Sequence, residues 1–312
     1  MTVLEVSDIH RTFAGRAPVE ALRGVSFTAG PGEVVGLLGV NGAGKTTLVK
    51  IVSTLLLPTR GRASVCGYDV VRQSRDARAH LGVVFGGDRG LYPRLSALDN
   101  VVFFGGLSGL RRGLRRRALA ALEQVGLADR ARSRVETFSR GMRQRLHLAV
   151  GLLHTPPLVL LDEPTVGLDT VETQRVRETI AELARTGVTV LLTSHYPADI
   201  DALSTRVVVL TDGVVAHDLP IETFRRLAGF VAEVRIRGVG DPPDTHGESA
   251  GGQEIVVASD GSWLITWRLR SWDADALGRI ATAASGSRVT DLSIDPVGLE
   301  VVLRSLFAPE RV

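Results

Sequence analysis

Along the first 228 or so residues, short continuous apolar runs alternate with stretches whose apolar positions recur at helical spacing. The runs Glu33-Val34-Val35-Gly36-Leu37-Leu38, Leu81-Gly82-Val83-Val84-Phe85, Leu158-Val159-Leu160-Leu161 and Val188-Thr189-Val190-Leu191-Leu192 are too short for buried helices. Being apolar at most positions in succession rather than alternating, they predict fully buried strands of a parallel sheet. Residues 3–8 and 24–28 look instead like strands with one wet face, Val25 and Phe27 alternating with polar neighbours. Helical spacing follows the first run at Leu48, Val49, Ile51 and Val52, and two further helices are predicted over 97–108 and 113–125. Ser139 is a natural N-cap for a long helix through Leu153, which stops ahead of Pro156-Pro157. Residues 206–218 read as a hairpin closing on Asp212-Gly213.

From about residue 229 the pattern changes. Phe230 to Ile236 suggests a strand, and Gly238 to Gly252 has turn-forming residues without periodicity, as a loop does. Residues 253–258 and 262–269 pair as a hairpin across Asp260-Gly261, with Trp263, Ile265 and Trp267 on one face. A helix near 273–284, a strand near 288–294 and a terminal helix near 296–306 complete a small ββαβ-like appendage. The tryptophans read as core, and no chemistry is assigned there.

Composition narrows the class without choosing it. The chain has 312 residues, 44% hydrophobic and 23% charged, as expected for one large globular domain with a smaller companion. Cys66 is the single cysteine, so no intrachain disulfide forms. No basic leader followed by an apolar run opens the chain, and no window approaches the length of a membrane span. A net charge of +3 is small for this size and argues against a nucleic-acid partner. The excess is carried by arginine, since Lys45 and Lys50 are the only lysines. Arg111, Arg112, Arg115, Arg116 and Arg117 form the one dense cluster, either a solvated helix face or a contact with anionic lipid or a partner.

The chemistry is concentrated where the predicted strands end. Gly39-Val40-Asn41-Gly42-Ala43-Gly44-Lys45-Thr46-Thr47 fits the phosphate-binding loop pattern between a strand and a helix. Its glycines let backbone N–H groups converge on phosphate oxygens, Lys45 reaches the β- and γ-phosphates, and the Thr46 hydroxyl suits Mg²⁺. The run 158–161 delivers Asp162, a candidate Mg²⁺ holder through water, and Glu163, a candidate for polarising an attacking water. The run 188–192 ends at Thr193-Ser194-His195, where His195 could donate to a γ-phosphate. Ser139 and Gly141 open a second anion-seeking helix start. Phe13, ahead of the loop, is either an adenine-stacking ring or core.

With these residues in order, the chain resembles the ATP-binding subunit of an ATP-binding-cassette (ABC) transporter over about residues 2–228. Gly39 to Thr46 match the Walker A loop, Ser139-Arg140-Gly141-Met142 the signature motif and Leu158 to Asp162 Walker B. Glu163 stands in the catalytic-glutamate place, Val166-Gly167-Leu168-Asp169 match the D-loop, and His195 matches the switch histidine. Phe13 takes the place of the adenine-stacking aromatic. The wording around 85–92 and 138–142 is most similar to ATPases of ABC-2-type exporters, the branch that includes daunorubicin and other drug-resistance exporters.

The resemblance implies an α/β fold, a P-loop cassette over 1–228 with a mixed sheet core and a helical subdomain at about 95–155. A small α+β accessory domain follows over 229–312. It implies an ATPase using ATP and Mg²⁺, with two cassettes, most simply a homodimer, closing so that each nucleotide lies between one Walker A and the other's Ser139. A membrane permease on a separate chain would hold the protein at the inner face of the cell membrane and carry out export of a drug, lipid or polysaccharide. The alternative is a soluble or regulatory ABC-type ATPase not coupled to transport. Two departures stand out. Gly86 occupies the place of the family's usual Mg²⁺-contacting Gln, so that either water or Asp88 fills it or coupling to the membrane subunit runs differently, and Arg140 and Met142 replace the commoner Gly and Gln of the signature.

Overall fold

The four continuous apolar runs lie in one sheet. In the computed structural model, which describes residues 2–15, 17–86, 90–242, 253–258, 260–270, 278, 280–281 and 288–307, the chain divides into units Met1–Pro220 and Ile221–Val312. The sequence places the corresponding boundary at 228/229.

In the first unit β1 (Leu4–Phe13) and β2 (Val19–Ala29) are antiparallel, followed by β3 (Val34–Leu38), α1 (Lys45–Val52), β4 (Arg60–Val65), β5 (Tyr68–Asp69) and α2 (Ser74–Ala79). Then come β6 (Leu81–Phe85), α3 (Ala97–Leu107), α4 (Leu114–Gln124), α5 (Arg140–Leu152) and β7 (Leu158–Asp162). The unit ends with α6 (Thr170–Arg185), β8 (Thr189–Thr193), α7 (Pro197–Leu203), β9 (Arg206–Thr211) and β10 (Val214–Pro220). A four-stranded antiparallel sheet has the order β2-β1-β4-β5, and a six-stranded sheet the order β10-β9-β3-β8-β7-β6. In the latter, β9 through β6 run parallel and β10 is an antiparallel edge.

Burial explains the sequence pattern. Every residue of β3, β7 and β8 is buried, because helices or a second sheet cover both faces of a parallel sheet. One core joins Leu4, Ile9 and Val25 of the antiparallel sheet to Val35, Leu37, Leu160 and Leu191 of the other around Leu48, Val49, Ile51 and Val52 of α1. The hairpin β9–β10 turns at Asp212 (φ 49°) and Gly213 (φ 78°), the paired left-handed conformation that matches strand twist. Register is what positions the site: Val208, Leu37, Thr193, Asp162 and Phe85 form one rung across β9, β3, β8, β7 and β6. The segments that follow β3, β6, β7 and β8 therefore leave the sheet along one edge.

The second unit begins with α8 (Ile221–Arg226) and contains an antiparallel sheet of β11 (Ala232–Val239), β12 (Gln253–Val257), β13 (Ser262–Leu269) and β14 (Arg288–Pro296), ordered β12-β13-β11-β14. Val234, Ile236, Trp263, Ile265 and Ile280 form its core, with Trp267 packed against it. The expected loop is shorter at its start, since β11 runs through Val239, and its part from 243 to 252 lies outside the described residues. Of the helix expected over 273–284, residues 278, 280 and 281 are helical and the others lie outside the description. The terminal helix spans Leu299–Phe307.

Candidate active site

The loop after β3 owes its shape to three glycines in the left-handed region: Gly39 (φ 149°), Gly42 (φ 87°) and Gly44 (φ 102°). A Cβ on Gly39 would lie 2.3 Å from the Leu210 carbonyl oxygen, and one on Gly44 would lie 2.5 Å from that of Ala21. Neighbouring backbone thus fixes both as glycine. Beyond the loop, α1 starts with no side-chain cap and no acidic residue in its first turn, so its free N–H groups and positive dipole end favour an anion. Lys45 is buried, its Nζ donating to the carbonyls of Gly39 (2.6 Å) and Val40 (3.2 Å). Burial lowers its ammonium pKa, and the carboxylates of Glu163 and Asp162 oppose that shift. Val40, Asn41, Gly42 and Thr46 are exposed, Ala43 is buried, and Thr47 is half-buried.

Asp162 ends β7 as a buried carboxylate whose Oδ1 accepts from Thr193 Oγ1 at 2.5 Å. Glu163 follows at φ 57°, an uncommon conformation for a residue with a side chain, and its N–H donates to the Thr193 carbonyl (3.1 Å) and Oγ1 (3.2 Å). Its Oε2 accepts from His195, both the backbone N–H (3.2 Å) and Nδ1 (2.5 Å). The strand ends therefore bring together Asp162, Glu163 and His195, and both carboxylates act on Lys45.

A buried layer behind the site went unnoticed in the sequence. Asp199, in α7, accepts from Thr165 Oγ1 just past Glu163, from Ser194 Oγ (3.0 Å) just before His195, and from Arg177 Nε (2.9 Å) and Nη2 (2.5 Å) of α6. One carboxylate ties the turns that carry Glu163 and His195 to the same helix. Thr193 was equally overlooked, although a threonine closing an apolar strand opposite an aspartate is a legible signal.

Ser139 and Gly141 lie outside this hydrogen-bonded group. Ser139 Oγ accepts from Met142 N (3.2 Å), capping α5, and a Cβ on Gly141 would come 2.4 Å from Glu172 Cγ. Asp169 likewise caps α6, accepting from Glu172 N (2.8 Å). The two helix starts are joined by Arg145, which meets Glu172 at 3.2 Å and donates to the Val125 and Gly126 carbonyls at 3.1 Å. Phe13 is 37% exposed, which removes the core reading, and the Arg11 guanidinium stands 4.5 Å from its ring centroid.

At the end of β6 the Gly86 N–H donates to the Asp162 carbonyl (2.6 Å), and a Cβ there would lie 2.6 Å from the Glu163 carbonyl oxygen. The place is filled by the backbone of the acidic pair; Asp88, the suggested substitute, lies outside the described residues. Thr46 and Asp162 are hard oxygen donors of the kind Mg²⁺ takes, and among the described residues no group of three or more His, Cys, Asp or Glu could hold a metal unaided. Two protein oxygens suit an ion that completes its sphere with water and substrate phosphate.

A glycine cradle, a buried lysine and two carboxylates at the carboxyl edge of a parallel sheet define a P-loop nucleoside triphosphatase. The ABC transporter family model matches residues 22–166. The chain is 39% identical over 223 residues to the ABC transporter ATP-binding protein NatA of Bacillus subtilis, covering 71% of this chain and 91% of NatA. It is 40% identical over 225 residues to the doxorubicin resistance ATP-binding protein DrrA of Mycobacterium tuberculosis, covering 72% and 67% of the two chains. A solved ATP-binding subunit of an ABC transporter superposes with TM-score 0.64 at 29% identity, covering 73% of this chain and 93% of that one. The dimeric post-hydrolysis cassette MJ0796, bound to ADP and Pi, gives 0.63 at 27%, covering 70% and 98%. The chain belongs to the ABC transporter ATP-binding family and is an ATPase.

Proposed function

We propose that the chain drives export through a separate membrane permease, and that the exported compound is a drug or antibiotic, a lipid or a polysaccharide. The observation that carries the reading is the Lys45, Asp162, Glu163 and His195 group at one sheet edge, in a chain 40% identical to a doxorubicin resistance ATP-binding protein. No helix among the described residues is long and apolar enough to cross a membrane, in keeping with a partner that does. A partly exposed aromatic group suits such a partner: exposed Tyr92 meets exposed Phe103 at 4.7 Å between centroids, and Phe103 meets half-buried Phe104 at 5.4 Å. Membrane attachment at the inner face comes through the permease.

In this reading the loop amides and Lys45 hold the phosphates, and Phe13 presents its free side to the adenine. Thr46 and Asp162 hold Mg²⁺, which supplies charge neutralisation on the phosphate oxygens. Glu163 orients the attacking water and His195 steadies the γ-phosphate. Ser139 and Gly141 complete the site of a second cassette, most simply a copy of this chain, with Asp169 at the seam. ATP favours the closed pair because it touches both halves, and hydrolysis removes that bias.

The test is copurification of the chain with the membrane protein encoded beside its gene, followed by drug uptake into inverted vesicles. ATP-dependent uptake should vanish with Glu163→Gln. Uptake that persists in that variant, or a chain that associates with no membrane protein, overturns the reading.

A further inference from the structure

The arginines that follow α3 and open α4 take no part in the site, and their crowding sets them apart. Arg111, Arg112, Arg115, Arg116 and Arg117 are all exposed, and among the described residues none of the five guanidinium groups has a hydrogen bond, ion pair or ring contact. Some arginines elsewhere are paired, Arg145 with Glu172 and Arg177 with Asp199, and others, Arg62 and Arg94 among them, are exposed without such a partner among the described residues; what is particular here is that five fall within the seven residues 111–117. Arg115, Arg116 and Arg117 also occupy the first turn of α4, with no acidic residue there and Gly113 as an N-cap without a side chain. Cations at the positive end of a helix dipole oppose helix formation, and an anion at that place relieves both charges. The turn is held in place, because Leu114 packs on Gly105 of α3, where a Cβ would come 2.4 Å from a Leu114 methyl. Flanking the charges in sequence, Leu107 at the end of α3 is 70% exposed and Leu119 in α4 43%.

We propose that this turn binds the anionic headgroup layer of a lipid bilayer, with the guanidinium groups on lipid phosphates and Leu107 entering the interface. Guanidinium forks suit phosphate oxygens, and uncovered leucines beside them suit an acyl boundary better than a nucleic-acid groove. The inference rests on the proposed permease, since α3 also carries Phe103 and Phe104 of the aromatic surface offered to it. A cassette docked there has its adjoining basic turn near the membrane.

The test is cosedimentation of the full chain with vesicles of phosphatidylcholine alone or mixed with phosphatidylglycerol, at low and high salt. Binding to the mixed vesicles alone, lost at high salt, is expected. R115Q/R116Q/R117Q should lower the partition coefficient about a hundredfold, at roughly fivefold per charge, and L107N should lower it further. ATPase activity of the triple variant should match wild type and its melting temperature should equal or exceed it, since cations opposing the helix dipole are removed, which separates lost lipid contact from misfolding. Equal binding to both vesicles, an unchanged triple variant, or preference for a DNA duplex at equal phosphate concentration overturns the proposal. Permease-dependent uptake without vesicle binding removes this inference alone; vesicle binding without a permease removes the export reading and leaves the lipid contact.

Discussion

Nδ1 of His195 lies 2.5 Å from Oε2 of Glu163, and the backbone N–H of His195 donates to the same oxygen. A carboxylate only accepts, so the Nδ1 proton points at Glu163. In the neutral ring that leaves Nε2 as an acceptor; Nε2 becomes a donor only in the imidazolium form. Glu163 therefore sets which face His195 presents to a phosphate, while its own position is set by Thr193 and by a left-handed backbone.

Glu163→Gln keeps the side-chain shape and removes the base. Turnover should fall by about 10²–10⁴-fold, the span of a lost general base. ATP binding through Lys45 and the loop should persist, and ATP should hold a dimer visible by size-exclusion chromatography. Wild-type turnover in this variant would count against the role.

Lys45→Met separates function from stability. The ammonium is buried and its pKa lowered by that burial, so the charge is a cost to the folded state. The variant should lose ATPase activity while its melting temperature at neutral pH stays level or rises. For the wild type the sign follows from proton uptake. Where the unfolded chain binds the proton and the folded chain does not, stability rises with pH. That window ends near the ordinary lysine value of 10.5 and begins below it. Melting curves toward alkaline pH should therefore narrow any advantage of Lys45→Met; an advantage that grows there contradicts the assignment.

What the sequence disclosed follows from which signals are local. The buried strands announced themselves because β3, β7 and β8 carry apolar residues in succession rather than in alternation, and the loop because its glycines, Lys45 and Thr46 are contiguous. Helix α6 was missed because only Val176, Ile180 and Leu183 of its sixteen residues are buried, too sparse a stripe to stand out. Strand β4 was missed because Arg60, Gly61 and Arg62 are exposed and carry no alternation. The joining of Asp199 to Thr165, Ser194 and Arg177 spans three separate segments, so no local pattern contains it.

Asp199 makes that hidden layer testable. Its carboxylate is 1% exposed and offsets the Arg177 guanidinium, whose side chain is 23% exposed. Asp199→Ala leaves a mostly buried cation and two hydroxyls without their acceptor, at a cost of about 3 kcal/mol. Urea denaturation should show that loss. Thr165→Val removes only one of the bonds and should cost about 1 kcal/mol. If both variants keep wild-type kcat once folded, the layer supports the fold without positioning Glu163 and His195.

Gly86 is where the family's common Gln and this chain part, and the backbone of the acidic pair closes over it. Insertion of a glutamine is not a neutral restoration of a metal donor. A Cβ would meet the Glu163 carbonyl oxygen at 2.6 Å, the Asp162 carbonyl oxygen at 3.0 Å and Glu163 Cβ at 3.2 Å. These are backbone or near-backbone atoms of the acidic pair, and they cannot swing aside as a side-chain tip does. Gly86→Ala and Gly86→Gln should each destabilise by about 1–3 kcal/mol through overpacking. Both should slow turnover through a displaced Glu163, with similar Mg²⁺ dependence in the two variants. Steady-state ATPase rates across a Mg²⁺ titration distinguish the cases. If Gly86→Gln alone regains or exceeds wild-type turnover at lower Mg²⁺, the added amide has found the ion, and close packing is not what keeps glycine here.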